Sequence, residues 1–336
     1  MVILTNFQNF PATWKTESGT VGESRIVQSG KDYLRLARRI PDPVAVINCN
    51  PGLTLELAAR FALAAHPPPL VAVDLVLRRP RSVHSKLFLP LKRLLLNRVD
   101  LFIHYFRDLQ AYESLFGISA ERSAFVSFKV NLFDQFDQDR AKSGDYVLCL
   151  GRTLRDFDTF FDAVEQLPYP AAIPRPDFEQ LRRHGSRFTR RLDQLPSNVR
   201  LLEDDGSSRA MFEILKGAKV VVVPILREST AASGCSTCLN AMSLGKVVVG
   251  TEGPGFSDVF ENGEVLCVPP ENVEALAAAI RQVWEDDALR ERIVAAGRSY
   301  ARKAGGEQDL YRRVIECIVH WYELKFNGSF QGQHAS

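Results

Sequence analysis

Short continuous apolar runs alternate along this chain with longer stretches in which apolar positions recur every three or four residues. The alternation is clearest in the second half. Residues 219–224 read KVVVVP, a β-branched run of the kind that forms a strand buried on both faces of a parallel sheet. A polar loop leads to Gly234-Cys235-Ser236-Thr237, a helix over 238–244 runs to Gly245, and 246–250 returns to strand. Further strands are expected at 146–150, 170–173, 198–202 and 265–268, with helices near 156–166, 208–216, 271–285, 287–303 and 307–325. The first half keeps the same rhythm. Strands are expected at 2–5, 44–48, 70–74, 101–104 and 124–128, helices over 22–40, 54–65 and 107–116, and a loop over 6–20. Such β-then-α alternation builds parallel, doubly wound sheets.

The rhythm is interrupted near 131–145, a stretch dense in Asp, Gln and Lys, so a domain boundary is expected there. That divides the chain into an N-terminal Rossmann-like domain over 1–135, a second over 145–305 and a terminal helix over 306–327. Leu310, Val314, Cys317, Ile318 and Trp321 give that last helix an apolar face for docking, and the tail from 328 is expected to be disordered. With 336 residues and 46% hydrophobic content there is material for two cores. A net charge of +2 argues against electrostatic binding of nucleic acid. Six scattered cysteines do not suggest a disulfide framework. The opening residues lack a secretory pattern and no apolar stretch approaches the roughly 20 residues a spanning helix needs, so cytoplasmic residence is expected.

One segment changes that picture. Residues 77–98 carry Arg78, Arg79, Arg81, Lys86, Lys92, Arg93 and Arg98 with no acidic residue, interleaved with Leu and Phe. Either a helix turns its apolar face to the core and its basic face to water, or the segment lies on anionic lipid or meets an acidic acceptor. Pro90 should divide it into two shorter helices.

The candidate chemistry gathers at two βα turns of the second domain. A Gly-Ser-Thr turn at a helix N-terminus offers backbone N–H groups and the Ser236 and Thr237 hydroxyls to an anion, though the same residue types also serve as plain helix caps. The strand at 146–150 ends in Gly151 and is followed by Arg152 and Arg155, whose fixed charges either neutralise a leaving diphosphate or stand as solvated surface charges. Cys235 and Cys238, at the helix start, admit a redox or zinc reading, but no second ligand pair accompanies them. His104, at a strand end, reads more simply as a packed histidine.

From Gly234 to Ile280 the sequence resembles the donor-binding half of retaining glycosyltransferases of the large family-four type, the glycosyl transferases group 1. The match runs through Ala241, Met242, Gly245, Lys246, Gly253, Gly255, Asp258, Asn262, Gly263, Val268 and Pro269. The resemblance implies the α/β GT-B fold, two Rossmann-like doubly wound parallel-sheet domains facing a cleft, with the C-terminal helix crossing back. It implies transfer of a sugar from a nucleotide-diphosphate donor to an acceptor hydroxyl with retention of configuration, no bound metal and no other cofactor. Cell-surface polysaccharide or glycolipid assembly, with a lipid-linked or polysaccharide acceptor at the inner face of the membrane, is the setting it suggests.

By the same resemblance Asp74, Arg152 and Arg155 are expected to carry the reaction, with Gly151, Gly234, Ser236, Thr237, Asn240 and Glu228 holding the donor. Two departures stand out. Where the family commonly has two glutamates eight positions apart, this chain has Ala232 and Asn240, with Glu228 nearby. Val73 stands where a histidine often precedes the aspartate. These losses favour a catalytically silent nucleotide-sugar-binding relative; a nucleotide-sugar epimerase and a flavodoxin-like regulator also stay open.

Overall fold

The computed structural model describes residues 1–135 and 144–326. The expected tail from 328 and part of the expected 131–145 boundary lie outside the described residues. The chain divides into two compact units, one formed by Met1–Ser127 together with the residues from Gln308 onward, the other by Phe128–Glu307.

The first unit holds a seven-stranded sheet whose strands are β1 (Val2–Thr5), β2 (Thr13–Lys15), β3 (Val21–Ile26), β4 (Pro43–Asn48), β5 (Leu70–Val73), β6 (Leu101–His104) and β7 (Ser123–Phe125), in the order β2-β3-β1-β4-β5-β6-β7. All pairs are parallel except β2 with β3. The central strands β4, β5 and β6 are buried on both faces, as their unbroken apolar runs require. The helix expected over 22–40 is half wrong: β3 occupies its first part and the helix is Gly30–Ala37. β3 lies between β1 and the three-residue edge strand β2 and leaves most of its side chains exposed, so its polar residues gave no strand signal. The helix starts where Ser29 accepts a hydrogen bond from the Asp32 N–H. The loop expected over 6–20 contains β2, whose Trp14 donates through Nε1 to the Ser24 hydroxyl at 3.0 Å.

The final helix, Glu307–Phe326, buries Leu310, Tyr311, Val314, Ile315, Ile318 and Val319. Tyr311 packs against Phe7 and Phe10, which joins the helix to the loop after β1. Between β5 and β6 lie two short helices, Val83–Leu87 and Leu89–Leu96, meeting at Phe88 where Pro90 opens the second.

The second unit holds a six-stranded sheet, parallel throughout, of β8 (Tyr146–Cys149), β9 (Ala171–Pro174), β10 (Val199–Leu202), β11 (Ala218–Val223), β12 (Val247–Thr251) and β13 (Leu266–Val268), in the order β10-β9-β8-β11-β12-β13. Alternation along β11 sends Val221 and Val223 into one apolar cluster and Val220 and Val222 into the other. The helices are close to expectation, with one missed: Phe178–Arg183, short and largely polar. From β8 the chain winds outward to β10 in one direction and, from β11, outward to β13 in the other. That reversal between β8 and β11 opens a crevice beyond the carboxyl ends of the two strands, the place where open α/β sheets bind ligands.

A methyl group on Gly22 would fall 2.2 Å from the Trp14 ring and 2.8 Å from the Met1 carbonyl oxygen. Gly22→Ala should therefore cost about 1–3 kcal/mol, read as a lower midpoint in urea unfolding followed by tryptophan fluorescence. An unchanged midpoint would mean that the edge hairpin does not pack as described.

Candidate functional site

The loops leaving β8 and β11 are bound to each other at the reversal point. The Asp156 N–H donates to the Pro224 carbonyl at 3.0 Å, and the Leu226 N–H to the Leu154 carbonyl at 2.9 Å. Asp156, buried, caps the helix Phe157–Val164 and receives a two-pronged bond from the Arg187 guanidinium, at 2.5 and 3.0 Å. Ser186 accepts the Arg155 N–H at 2.9 Å and donates to the Arg152 carbonyl at 2.6 Å. The segment around Ser186 and Arg187 thus fixes the β8 turn, a role nothing in the sequence signals because the partners lie 31 residues apart.

Arg155 is the centre of this arrangement. Its side chain is 2% exposed, and its guanidinium donates to the Leu150 carbonyl at 2.8 Å, the Thr153 carbonyl at 3.1 Å and the Thr237 hydroxyl at 3.3 Å. No acidic side chain pairs with it among the described residues. Burial lowers its pKa to about 10, so the group stays charged at neutral pH. Sequence reasoning set Arg155 among groups touching a ligand. The structure places it instead beneath the turn, where it holds Thr237 and contributes a desolvated positive charge. Gly151 and Gly234 make room for it: a methyl group on either would come within 2.5 and 2.9 Å of Nη2, and both have positive φ, +111° and +99°.

The helix Cys235–Ser243 begins at Gly234 and has no side-chain cap. Neither Ser236 nor Thr237 acts as the cap, which removes the plain capping explanation for their presence. The Ser236 hydroxyl accepts from Asn131 Nδ2 at 2.5 Å, as Thr237 accepts from Arg155. A hydroxyl whose oxygen is so occupied keeps its own proton to donate, so both turn hydroxyls and the first N–H groups of the helix present donors to an anion.

The other expected residues are distributed differently. Arg152 is exposed and bonds Gln180 Oε1, lining a cavity of about 320 Å³ with Gly151, Pro174, Asp177, Asp204 and Asp205. It does not meet the Gly234 turn. The Asn240 carboxamide oxygen accepts the N–H groups of Asn131 and Leu132 at 2.9 and 3.2 Å, so it holds the chain entering this unit. Glu228 is half-buried in the loop between β11 and the turn.

Asp74 belongs to the other unit, at the carboxyl end of β5. Both Asp74 (φ +47°) and Cys49 (φ +49°) at the end of β4 adopt left-handed backbone, and the Cys49 thiol donates to Asp74 Oδ2 at 2.9 Å. Such strain in non-glycine residues concentrates at functional sites. Burial raises the Asp74 pKa, and its hydrogen bond from Cys49 opposes that shift.

The redox reading of the Cys235–Cys238 pair gains no support: Cys238 is fully buried, and burial pushes its thiol well up. His104 is likewise a core residue, 1% exposed beside Phe106 and Tyr112, with its pKa lowered to about 4. Among the described residues no group of three or more His, Cys, Asp or Glu is placed to hold a metal ion.

Residues 194–300 match the family model of glycosyl transferases group 1, a span that includes the Gly234 turn and its helix. Similar folds are found in Anabaena HepE in complex with UDP (17% identity, 89% of this chain and 86% of that one, TM-score 0.63) and in sucrose-phosphate synthase from Thermosynechococcus elongatus (15% identity, 96% and 88%, TM-score 0.63). A UDP-forming α,α-trehalose-phosphate synthase from Burkholderia xenovorans is similar too (13% identity, 95% and 99%, TM-score 0.61). No curated protein sequence matches this chain. The chain thus resembles glycosyl transferases group 1 and has the α/β GT-B fold, with two parallel-sheet units. The family match supports a glycosyltransferase.

Two predictions follow from the geometry. Gly234→Ala would set a methyl group 2.7 Å from Val223 Cγ1 and 2.9 Å from Arg155 Nη2, costing about 1–3 kcal/mol in thermal or urea unfolding; a neutral substitution would show that the turn is not packed on the guanidinium. Because the folded Asp74 holds its proton more tightly than the unfolded chain does, its contribution is present at low pH and lost as pH rises past the usual carboxylate range. The stability of the wild type relative to Asp74→Asn should therefore fall as pH rises above about 4. A difference constant with pH would contradict the burial of this carboxyl.

Proposed function

We propose that this protein transfers a sugar from a nucleotide-diphosphate donor to an acceptor hydroxyl. The donor is held by the second unit, and Asp74 of the first unit serves as base toward the acceptor. The observation that carries this reading is the buried Arg155 guanidinium, without an acidic partner among the described residues, under an uncapped helix turn at the reversal point of the sheet. Leaving a buried charge without a counter-ion costs on the order of several kcal/mol, and a bound diphosphate offsets that cost while receiving the donors of Gly234 to Thr237. As the bond to the sugar breaks, negative charge grows on the diphosphate. A fixed, water-poor cationic site stabilises that change more than it stabilises the ground state.

The neighbouring cavity of about 320 Å³ suits the nucleoside: Leu150, Pro174 and Met211 offer apolar surface to a base, and Asp177, Asp204 and Asp205 offer acceptors to ribose hydroxyls. HepE, one of the similar structures, is described in complex with UDP and with UDP-glucose, which makes a uridine donor the first to test. In keeping with the family resemblance, the transfer retains configuration and proceeds without a metal, Arg155 and the turn supplying the charge. The acceptor is a lipid-linked or polysaccharide hydroxyl of cell-surface assembly.

A second reading has its own observation. The side chain at the family's second glutamate position is Asn240, and its carboxamide oxygen is engaged by two backbone N–H groups. That favours a relative that binds nucleotide sugars and transfers nothing.

Calorimetry with UDP, GDP and ADP and their sugars, beside radiolabelled sugar transfer, separates the two. Saturable binding of one nucleoside diphosphate is expected. Arg155→Lys and Thr237→Val should each weaken it by about tenfold or more, with folding checked by circular dichroism. Full-affinity binding in both variants would remove this turn from the site, and binding without transfer to any lipid or glycan acceptor would select the silent relative.

A further inference from the structure

The two short helices between β5 and β6 do not follow the usual division of apolar inside and polar outside. Leu96 is buried and Leu89, Lys92 and Leu95 are half-buried, so one side of Leu89–Leu96 already faces the unit's core. The other side is also apolar. Val83, Leu87, Phe88, Leu91 and Leu94 are between 50% and 76% exposed, five of the twelve large apolar side chains exposed among the described residues. Arg78, Arg79, Arg81, Lys86, Arg93 and Arg98 are exposed around them, and residues 77–98 include no acid. A groove of about 390 Å³ beside the helices is lined by Leu55, Phe88, Leu91 and Leu95 together with Arg78 and Arg79.

We infer that this face docks on a lipid surface rich in anionic headgroups, with the leucines and Phe88 entering the acyl boundary and the cations at the phosphates. Two features select lipid over a soluble polyanion. A polyanion would be held by the cations alone and would leave the exposed leucines in water. A bilayer surface matches both parts at once, apolar surface below and phosphate above. The groove combines apolar walls with guanidinium groups, which is the chemistry of one phospholipid: an acyl chain and its phosphate. Single exposed hydrophobic residues need no explanation, but five of them on two adjoining short helices, in a segment whose charges are all positive, do. The inference stands on the first unit alone and does not depend on the donor site.

Co-sedimentation of the full chain with vesicles tests it. Binding is expected to vesicles of phosphatidylcholine mixed with phosphatidylglycerol and not to phosphatidylcholine alone, and it should weaken as salt is raised. Leu87→Ser, Phe88→Ser and Leu91→Ser together should lower the vesicle-bound fraction at least about tenfold, and Arg79→Glu with Lys86→Glu should do the same. All five side chains are exposed, so thermal unfolding should be unchanged in both variants. No binding to the anionic vesicles, or equal binding by the serine variant, would overturn the inference. So would a lipid-free dimer, seen by sedimentation velocity, that the serine substitutions dissolve, because the occupant would then be a second copy. Binding to soluble anionic polysaccharide as strong as to the anionic vesicles, and unaffected by the serine substitutions, would also overturn it.

Discussion

A guanidinium buried with no acidic partner among the described residues is the constraint around which the second unit is arranged. Arg155 spans the gap where the sheet changes winding direction, from the Leu150 and Thr153 carbonyls on the β8 side to the Thr237 hydroxyl after β11. Glycine is required at both places where the backbone passes over it, Gly151 and Gly234. Protein carbonyls and a hydroxyl can satisfy its N–H groups, but they cannot neutralise its charge. In the function we propose, that charge attracts an anion at the overlying turn.

The first unit is built from the same βα rhythm but puts its strain elsewhere. Cys49 and Asp74 close adjacent strands in left-handed backbone and bond to each other, while the strand ladder continues through their N–H groups to Val73 and Ile103. The second unit therefore offers fixed positive charge at its sheet edge, and the first a carboxyl whose proton is held above the ordinary range. In the transfer we propose, the former serves a leaving diphosphate and the latter an acceptor hydroxyl losing its proton.

How much of this could be read from the sequence depended on burial. Strands buried on both faces, such as β4 and β11, announce themselves as unbroken apolar runs, and the second sheet was legible to within a residue or two. The largely exposed strand β3 was not, because its polar residues imitate a helix. The glycine and hydroxyls of the Gly234 turn were legible as the start of the helix after β11. What each of them bonds was not. Thr237 meets a guanidinium 82 residues away, and Asn240 holds a backbone segment 109 residues away. The burial of Arg155 and the exposure of Arg152 could not be told apart in a sequence where they stand three positions apart.

The central claim is that an anion bound at the Gly234 turn senses the Arg155 charge below it. Solution NMR of the protein labelled with ¹⁵N-arginine tests this most directly, with the Arg155 Nε resonance assigned by its loss in Arg155→Lys. The account predicts that adding UDP shifts the Arg155 resonance in a saturable way that follows the binding seen in the nucleotide's own signals. Binding that moves the Arg152 resonance and leaves that of Arg155 in place would contradict it.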